Sequence, residues 1–282
     1  NCVRIIEAAL ASETVEESLK EVARKYLENI KNKDVARTII PTLVAEVKAS
    51  KDEAVKELLD YENDLLDKSV WIVGGDGWAY DIGYGGLDHV IASEDDINIM
   101  CLDTEVYSNT GGQASKSSQT GQIAQFTASG NKTSKKNLAL MAMAYGNVYV
   151  AQVALGANPM AAIKAFKEAE SYNGPSLIIC YAPCINQGIK GGMVNSIQVE
   201  KEAVECGYFT TFRYDPRLAA QGKPALQLDC KEPDFTKVRD FIMKETRYSQ
   251  LPKINPAECE ALFEKNVECC KQRWERIKKF GL

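Results

Sequence analysis

From residue 70 onward the chain alternates short apolar runs with helical stretches, and this alternation restricts its fold more than any other feature. Val70-Trp71-Ile72-Val73, Ile97 to Leu102, Val148 to Val153 and Ser176 to Tyr181 have the lengths of strands rather than of helices. Between them, Leu138 to Tyr145 reads as helical, and Asn158-Pro159 is a helix start that opens towards Ser171. Strands apolar on both faces, alternating with helices, predict an α/β fold: a mostly parallel sheet with helices on both faces. Ligands in such sheets bind outside the carboxyl ends of the strands. Two polar, glycine-bearing segments fall there, Gly74-Gly75-Asp76-Gly77 after the first run and Asp103 to Lys116 after the second.

The flanks read differently. Residues 1–69 form a charged helical segment in which Val15, Leu19, Val22 and Tyr26 repeat at helical spacing. Thr14 with Glu17, and Ser50 with Glu53, have the spacing of capping boxes. Residues 70–212 make the α/β core. In residues 213–282 proline and charge rise and strand signals fade, which predicts an irregular and helical arm against a partner domain or subunit. A net charge of −5 without a Lys/Arg cluster argues against a nucleic-acid groove. No apolar run approaches the roughly 20 residues that cross a bilayer, so no membrane partner is expected. Nine scattered cysteines, an odd number, suit a reduced, cytoplasmic setting better than a disulfide framework. The start, Asn1-Cys2-Val3-Arg4, has neither an initiator Met nor the pattern of a signal peptide, and the expectation is a piece of a longer chain.

Gly75-Asp76-Gly77 directly follows a strand. Glycines there let the backbone turn sharply and bring its amides close to a ligand, and a helix start beyond the turn suits phosphate. A carboxylate between the glycines repels phosphate unless a hard cation lies between them. Mg²⁺ meets that need, because it binds one or two protein oxygens together with the phosphates of its ligand. Thr104, 28 positions after Asp76, ends the next strand-like run, a distance that suits a strand–helix–strand unit. Its hydroxyl, with backbone carbonyls and an amide up to Asn109, completes a candidate site for one octahedral ion over a diphosphate.

This pairing resembles the thiamine-diphosphate motif, with Thr104 where the general motif carries Asn. The strings Gly74-Gly75-Asp76-Gly77-Trp78-Ala79-Tyr80-Asp81-Ile82-Gly83-Tyr84-Gly85-Gly86-Leu87-Asp88-His89-Val90 and Leu102-Asp103-Thr104-Glu105-Val106-Tyr107-Ser108-Asn109-Thr110-Gly111-Gly112-Gln113-Ala114-Ser115-Lys116 look like those of pyruvate:ferredoxin (flavodoxin) oxidoreductases, as does Tyr181-Ala182-Pro183-Cys184-Ile185-Asn186. The resemblance implies that Asp76, Thr104 and the Val106 carbonyl bind Mg²⁺. It implies that Gly75, Asp76, Gly77 and Trp78, with Thr104, Glu105, Val106, Tyr107, Ser108 and Asn109, line the cofactor diphosphate. Asn109 would face the thiazolium and the substrate, and Cys184 would be the last of four thiolates around a [4Fe–4S] cluster.

The implied reaction converts pyruvate and CoA to acetyl-CoA and CO₂ and passes electrons through iron–sulfur clusters to ferredoxin or flavodoxin. The implied parent is a larger protein, acting as a homodimer. A four-iron cluster needs several thiolates at short spacing, yet no Cys-x-x-Cys occurs in this sequence. The expectation is therefore half an active site, inactive alone. Other functions stay open: another thiamine-diphosphate-dependent 2-oxo acid oxidoreductase, a non-redox thiamine decarboxylase or synthase, and an interaction domain without catalysis. His89, the lone histidine, reads as a packing or hydrogen-bonding residue, Trp78 equally as an anchor for the helix start, and Lys116 equally as a solvated loop lysine.

Overall fold

Two of the helix starts in the first seventy residues are set by side chains that accept from free backbone amides. The computed structural model describes residues 1–280 and divides into two compact units, Asn1–Ser69 and the chain from Val70. The first unit is helical: α1 (Cys2–Ala11), α2 (Glu17–Asn29), α3 (Lys33–Ala49), the short α4 (Glu53–Lys56) and a 3₁₀ stretch Glu57–Asp64. Asn32 caps α3 and Asp52 caps α4. The two capping boxes expected from the sequence do not form. The Thr14 and Ser12 hydroxyls donate to Asp52 instead, and the Ser50 hydroxyl donates to Glu16 at 2.7 Å. The Ser50 hydroxyl still accepts from the Asp52 amide at 3.2 Å, but the helix begins beyond it, capped by Asp52. The core is apolar, with Leu19, Tyr26, Leu43, Val47, Leu58 and Leu65 buried.

The second unit is built on a six-stranded sheet. Its strands are β1 (Trp71–Gly75), β2 (Asn98–Asp103), β3 (Tyr149–Val153), β4 (Ser176–Tyr181), β5 (Phe212–Tyr214) and β6 (Leu226–Leu228), in the order β1-β2-β4-β3-β5-β6. The first four run parallel, while β5 is added antiparallel beside β3 and β6 antiparallel beside β5. Alternate residues serve opposite faces, as the two-residue period of a strand requires. Val150, Leu177 and Ile179 join a core with α5 (Tyr84–Ala92), α6 (Leu138–Met143) and α8 (Ser196–Glu205). Tyr149, Ala151 and Ile178 pack on the other side with Ala162, Ala165 and Ala169 of α7 (Pro159–Glu170). That second side is only partly covered, since Val73 of β1 remains 60% exposed.

Of residues 213–282, expected as an irregular and helical arm, 213–280 lie within this same unit and the last two fall outside the described residues. They contribute β6 and the long helix Cys259–Phe280, whose Phe263, Cys270 and Ile277 are buried in the sheet's main core. The strand signal there was weak because β5 and β6 have three residues each. No helix is long and apolar enough to cross a membrane among the described residues.

Candidate functional site

Parallel pairing places Gly75 of β1 beside Leu102 of β2. The residues just beyond these partners, Asp76 and Thr104, therefore meet past the strand ends, although 28 positions separate them. Asp76 is 1% exposed. Its Oδ1 accepts from the Thr104 amide at 3.2 Å and the Thr104 hydroxyl at 2.8 Å, and its Oδ2 accepts from the Ser115 hydroxyl at 2.5 Å. Thr104 Oγ1 is also 2.9 Å from the Val106 carbonyl oxygen and 2.9 Å from Ser108 Oγ.

A threonine hydroxyl has one proton, and here two acceptors, the Asp76 carboxylate and the Val106 carbonyl, are placed to receive it; the other donor to that carbonyl, the Ser108 hydroxyl, stands off at 3.4 Å. Oxygens ligating one octahedral Mg²⁺ at about 2.1 Å stand roughly 3 Å apart along each edge. The Asp76–Thr104–Val106 separations match that spacing, and a shared cation relieves the shortage of protons. The donors are all hard oxygens with one carboxylate among them, which is the set Mg²⁺ favours beside a phosphate ligand. Burial, then the nearby Asp103, push the Asp76 carboxyl up to about 6, against the opposing help of Ser115, Thr104 and Lys135. A cation in contact acts in the opposite sense and favours the ionised form.

The glycines have separable causes. A Cβ at Gly77 would lie 2.4 Å from the Tyr107 ring, so this glycine lets Tyr107 pack on the turn. Cβ atoms at Gly74 and Gly83 would strike the Trp78 ring at 2.5 and 2.1 Å, so Trp78 is lodged between them. A Cβ at Gly75 would meet only the Leu102 carbonyl oxygen, at 4.0 Å, an ordinary contact. After Asp76 the chain makes a wide π-helical turn, Gly77–Ile82, before α5, a widening often found at functional sites.

Asp76, Thr104, Val106 and Ser108 thus converge, with Gly75, Gly77, Trp78 and Tyr107 around them. Asn109 is exposed further along the same loop, and His89 is exposed near the end of α5. Glu105 differs from its neighbours, because its side chain turns into the interior and is fully buried. Its φ of +62° is a left-handed conformation that costs a non-glycine residue on the order of 1–2 kcal/mol. Burial opposes its ionisation, but Lys135 and Arg247 outweigh burial and hold the carboxyl down at about 2. Lys116, which the sequence left between a phosphate role and solvent, pairs with Asp81 at 2.6 Å.

The loop after β4 closes one side of the site. Cys184 Sγ lies 3.2 Å from Ser108 Oγ, Asn186 Nδ2 donates to the Ser108 carbonyl at 3.1 Å, and Gln187 Nε2 donates to the Thr104 carbonyl at 3.1 Å. Cys184 stands without companion ligands: among the described residues no group of three His, Cys, Asp or Glu is placed to hold a metal. Sequence reasoning missed Ser115, Gln187, Lys135 and Arg247. Ser115 lies within the second glycine-bearing stretch, but Lys135 and Arg247 carry no local signal, because only the fold brings them to Glu105.

Residues 54–180 match the family described as thiamine pyrophosphate enzyme, C-terminal TPP binding domain. The chain is 53% identical over 242 residues to a pyruvate:ferredoxin oxidoreductase of Moorella thermoacetica, which covers 85% of this chain and 20% of that protein. It is 45% identical over 276 residues to a pyruvate-flavodoxin oxidoreductase of Klebsiella pneumoniae, covering 97% and 23%. A mitochondrial pyruvate dehydrogenase [NADP(+)] of Euglena gracilis is 41% identical over 273 residues, covering 96% and 15%. The chain therefore spans about a fifth of the length of the relatives it matches. It belongs to the pyruvate:ferredoxin (flavodoxin) oxidoreductase family, as the thiamine-diphosphate-binding C-terminal domain.

Proposed function

We propose that this chain holds thiamine diphosphate through one Mg²⁺ ion at the carboxyl ends of β1 and β2. It would do so as the cofactor-binding part of an enzyme that oxidatively decarboxylates pyruvate to acetyl-CoA and CO₂. The observation that carries the reading is the convergence of Asp76 Oδ1 and the Val106 carbonyl oxygen on Thr104 Oγ1, at 2.8 and 2.9 Å, with one threonine proton between the two acceptors. These three oxygens would ligate the ion, and diphosphate oxygens and water would complete its octahedron. Gly75 to Trp78 and Thr104 to Asn109 would line the diphosphate, Glu105 through its backbone alone, with Gly75 the least crowded approach. Asn109 would face the reacting end of the cofactor and the substrate.

When bound, thiamine diphosphate supplies the electron sink that 2-oxo acid decarboxylation requires. The work of the chain itself is placement. It binds and orients the diphosphate, holds Asp76 ionised once the cation is in contact, and buries the carboxylate away from bulk water. Cys184 would supply one thiolate of a [4Fe–4S] cluster, the other three coming from parts of the larger protein. Electrons would leave through such clusters to ferredoxin or flavodoxin, in a cytoplasmic homodimer of the longer chain. Alone, the present chain would bind cofactor without completing the reaction.

Titration calorimetry of thiamine diphosphate into the chain, with and without Mg²⁺, tests this reading beside an Asp76→Ala variant. The expected result is Mg²⁺-dependent binding that the variant weakens by at least about 100-fold, the loss of a direct ligand exceeding the 10–100-fold typical of outer partners. Binding indifferent to both Mg²⁺ and the substitution would refute the site.

A further inference from the structure

The loop that carries Thr104 and Val106 is held from behind. Glu105, between them, has φ +62° and a carboxylate with no exposure. Its Oε1 accepts from Lys135 Nζ at 2.9 Å and Gln119 Nε2 at 2.9 Å, and its Oε2 accepts from the Tyr208 hydroxyl at 2.6 Å and Arg247 Nη2 at 2.9 Å. Its backbone carbonyl accepts from Ser118 Oγ at 2.7 Å and Gln122 Nε2 at 2.9 Å. Six donors therefore converge on one residue, the nearest 13 and the farthest 142 positions away in sequence.

A left-handed non-glycine residue persists only where its surroundings over-determine it, and these six bonds do so. The conformation has a local consequence. The Glu105 side chain goes inward, while the Thr104 hydroxyl and the Val106 carbonyl come together 2.9 Å apart beside Asp76. We propose that Glu105 is a positioning residue: its carboxylate, clamped by Lys135 and Arg247, sets the turn that presents Thr104 Oγ1 and the Val106 carbonyl as cation ligands. This rests on the Mg²⁺ reading of the Asp76 cluster. Glu105 does not touch the ion. It acts through the backbone it anchors, so its effect falls on cation affinity.

The test is a set of thiamine diphosphate titrations into the chain at increasing Mg²⁺, paired with thermal unfolding in the absence of Mg²⁺. Glu105→Gly tolerates the positive φ and removes the clamp. It leaves Lys135 with Asp103 at 2.6 Å and Arg247 with Glu245 at 2.6 Å, so neither cation is stranded. The Mg²⁺ concentration for half-maximal binding is expected to rise about 10- to 100-fold, the usual size for outer partners of metal ligands, with full binding recovered at high Mg²⁺. Glu105→Gln keeps an acceptor oxygen and is expected to shift the midpoint less.

A purely structural role would lower Tm and leave the Mg²⁺ midpoint where it is, which overturns the proposal. If Glu105→Gly does not fold, Glu105→Gln decides: a raised midpoint supports the clamp, and an unchanged one overturns it. Wild-type chain that binds without any Mg²⁺ dependence overturns both this inference and the reading beneath it. Mg²⁺-dependent wild-type binding with unshifted variants overturns this inference alone.

Discussion

In the first unit, ion pairs join exposed side chains: Arg24 and Glu17 are 52% and 72% exposed, Lys48 and Glu62 58% and 48%. Ser50 is the sole buried polar residue recorded there among the described residues. The second unit does the reverse beneath its site. Asp103, Glu105, Glu245 and Arg247 are at most 2% exposed at their side chains, and Lys135 is 8% exposed. A buried ion pair is weak evidence for stability, because desolvating two charges cancels much of their attraction. The first unit builds its core without such groups. Their concentration under the Thr104–Ser108 loop therefore points to specificity of geometry at the site.

The contrast breaks most visibly at Arg247. Replacing it with Met leaves Glu245 buried without its partner, and Glu245 is already pushed above the usual carboxylate range by burial. The expected cost is about 3–5 kcal/mol, read as a fall in the urea midpoint of the intact chain, because one partner of a buried pair is stranded. A loss below about 1 kcal/mol would show that water reaches the network.

A second effect has the opposite sign. Asp76 in the fold titrates near 6, above the ordinary value of 3.8, so the fold prefers it protonated. Below about pH 4 folded and unfolded chains both carry the proton, and Asp76 costs nothing. As pH rises through 4 to 6 stability is lost, by up to about 3 kcal/mol at 1.36 kcal/mol per pKa unit. Asp76→Asn without Mg²⁺ is therefore expected to be more stable than wild type at pH 7 by about 1–3 kcal/mol, and to lose that advantage by pH 4. Thermal unfolding of both proteins at the two pH values measures it; equal Tm at pH 7 would count against the strained carboxylate.

The smallest effect belongs to the first unit. Arg24→Ala removes an exposed pair and is expected to change stability by less than about 1 kcal/mol, with Mg²⁺-dependent binding unaltered. A larger loss, seen by denaturant titration, would mean that the surface of this unit carries more energy than its exposure suggests.

How much was legible in advance differs by element. The first four strands were readable because apolar runs bounded by glycine and proline are local signals. Asp76 and Thr104 were readable because their spacing fits one strand–helix–strand unit. β5 and β6 were not, since three-residue strands carry no periodicity and exist only through pairing, β5 with β3 and β6 with β5. The capping boxes at Thr14 and Ser50 failed for a related reason: their hydroxyls found acidic partners, Asp52 and Glu16, brought near by helix packing.

The amino-acid sequence by itself determined the alternation of buried strands and helices, the two strand-end loops, and the placing of Asp76 and Thr104 at neighbouring strand ends. These follow from short-range chemistry, where residue type and spacing are enough. Only the tertiary structure decided that Glu105 faces inward, that Lys135 and Arg247 meet it there, and that Cys184 lies against Ser108. Those contacts join residues 30, 142 and 76 positions apart, and at such separations the fold, not the local pattern, sets which side chains meet.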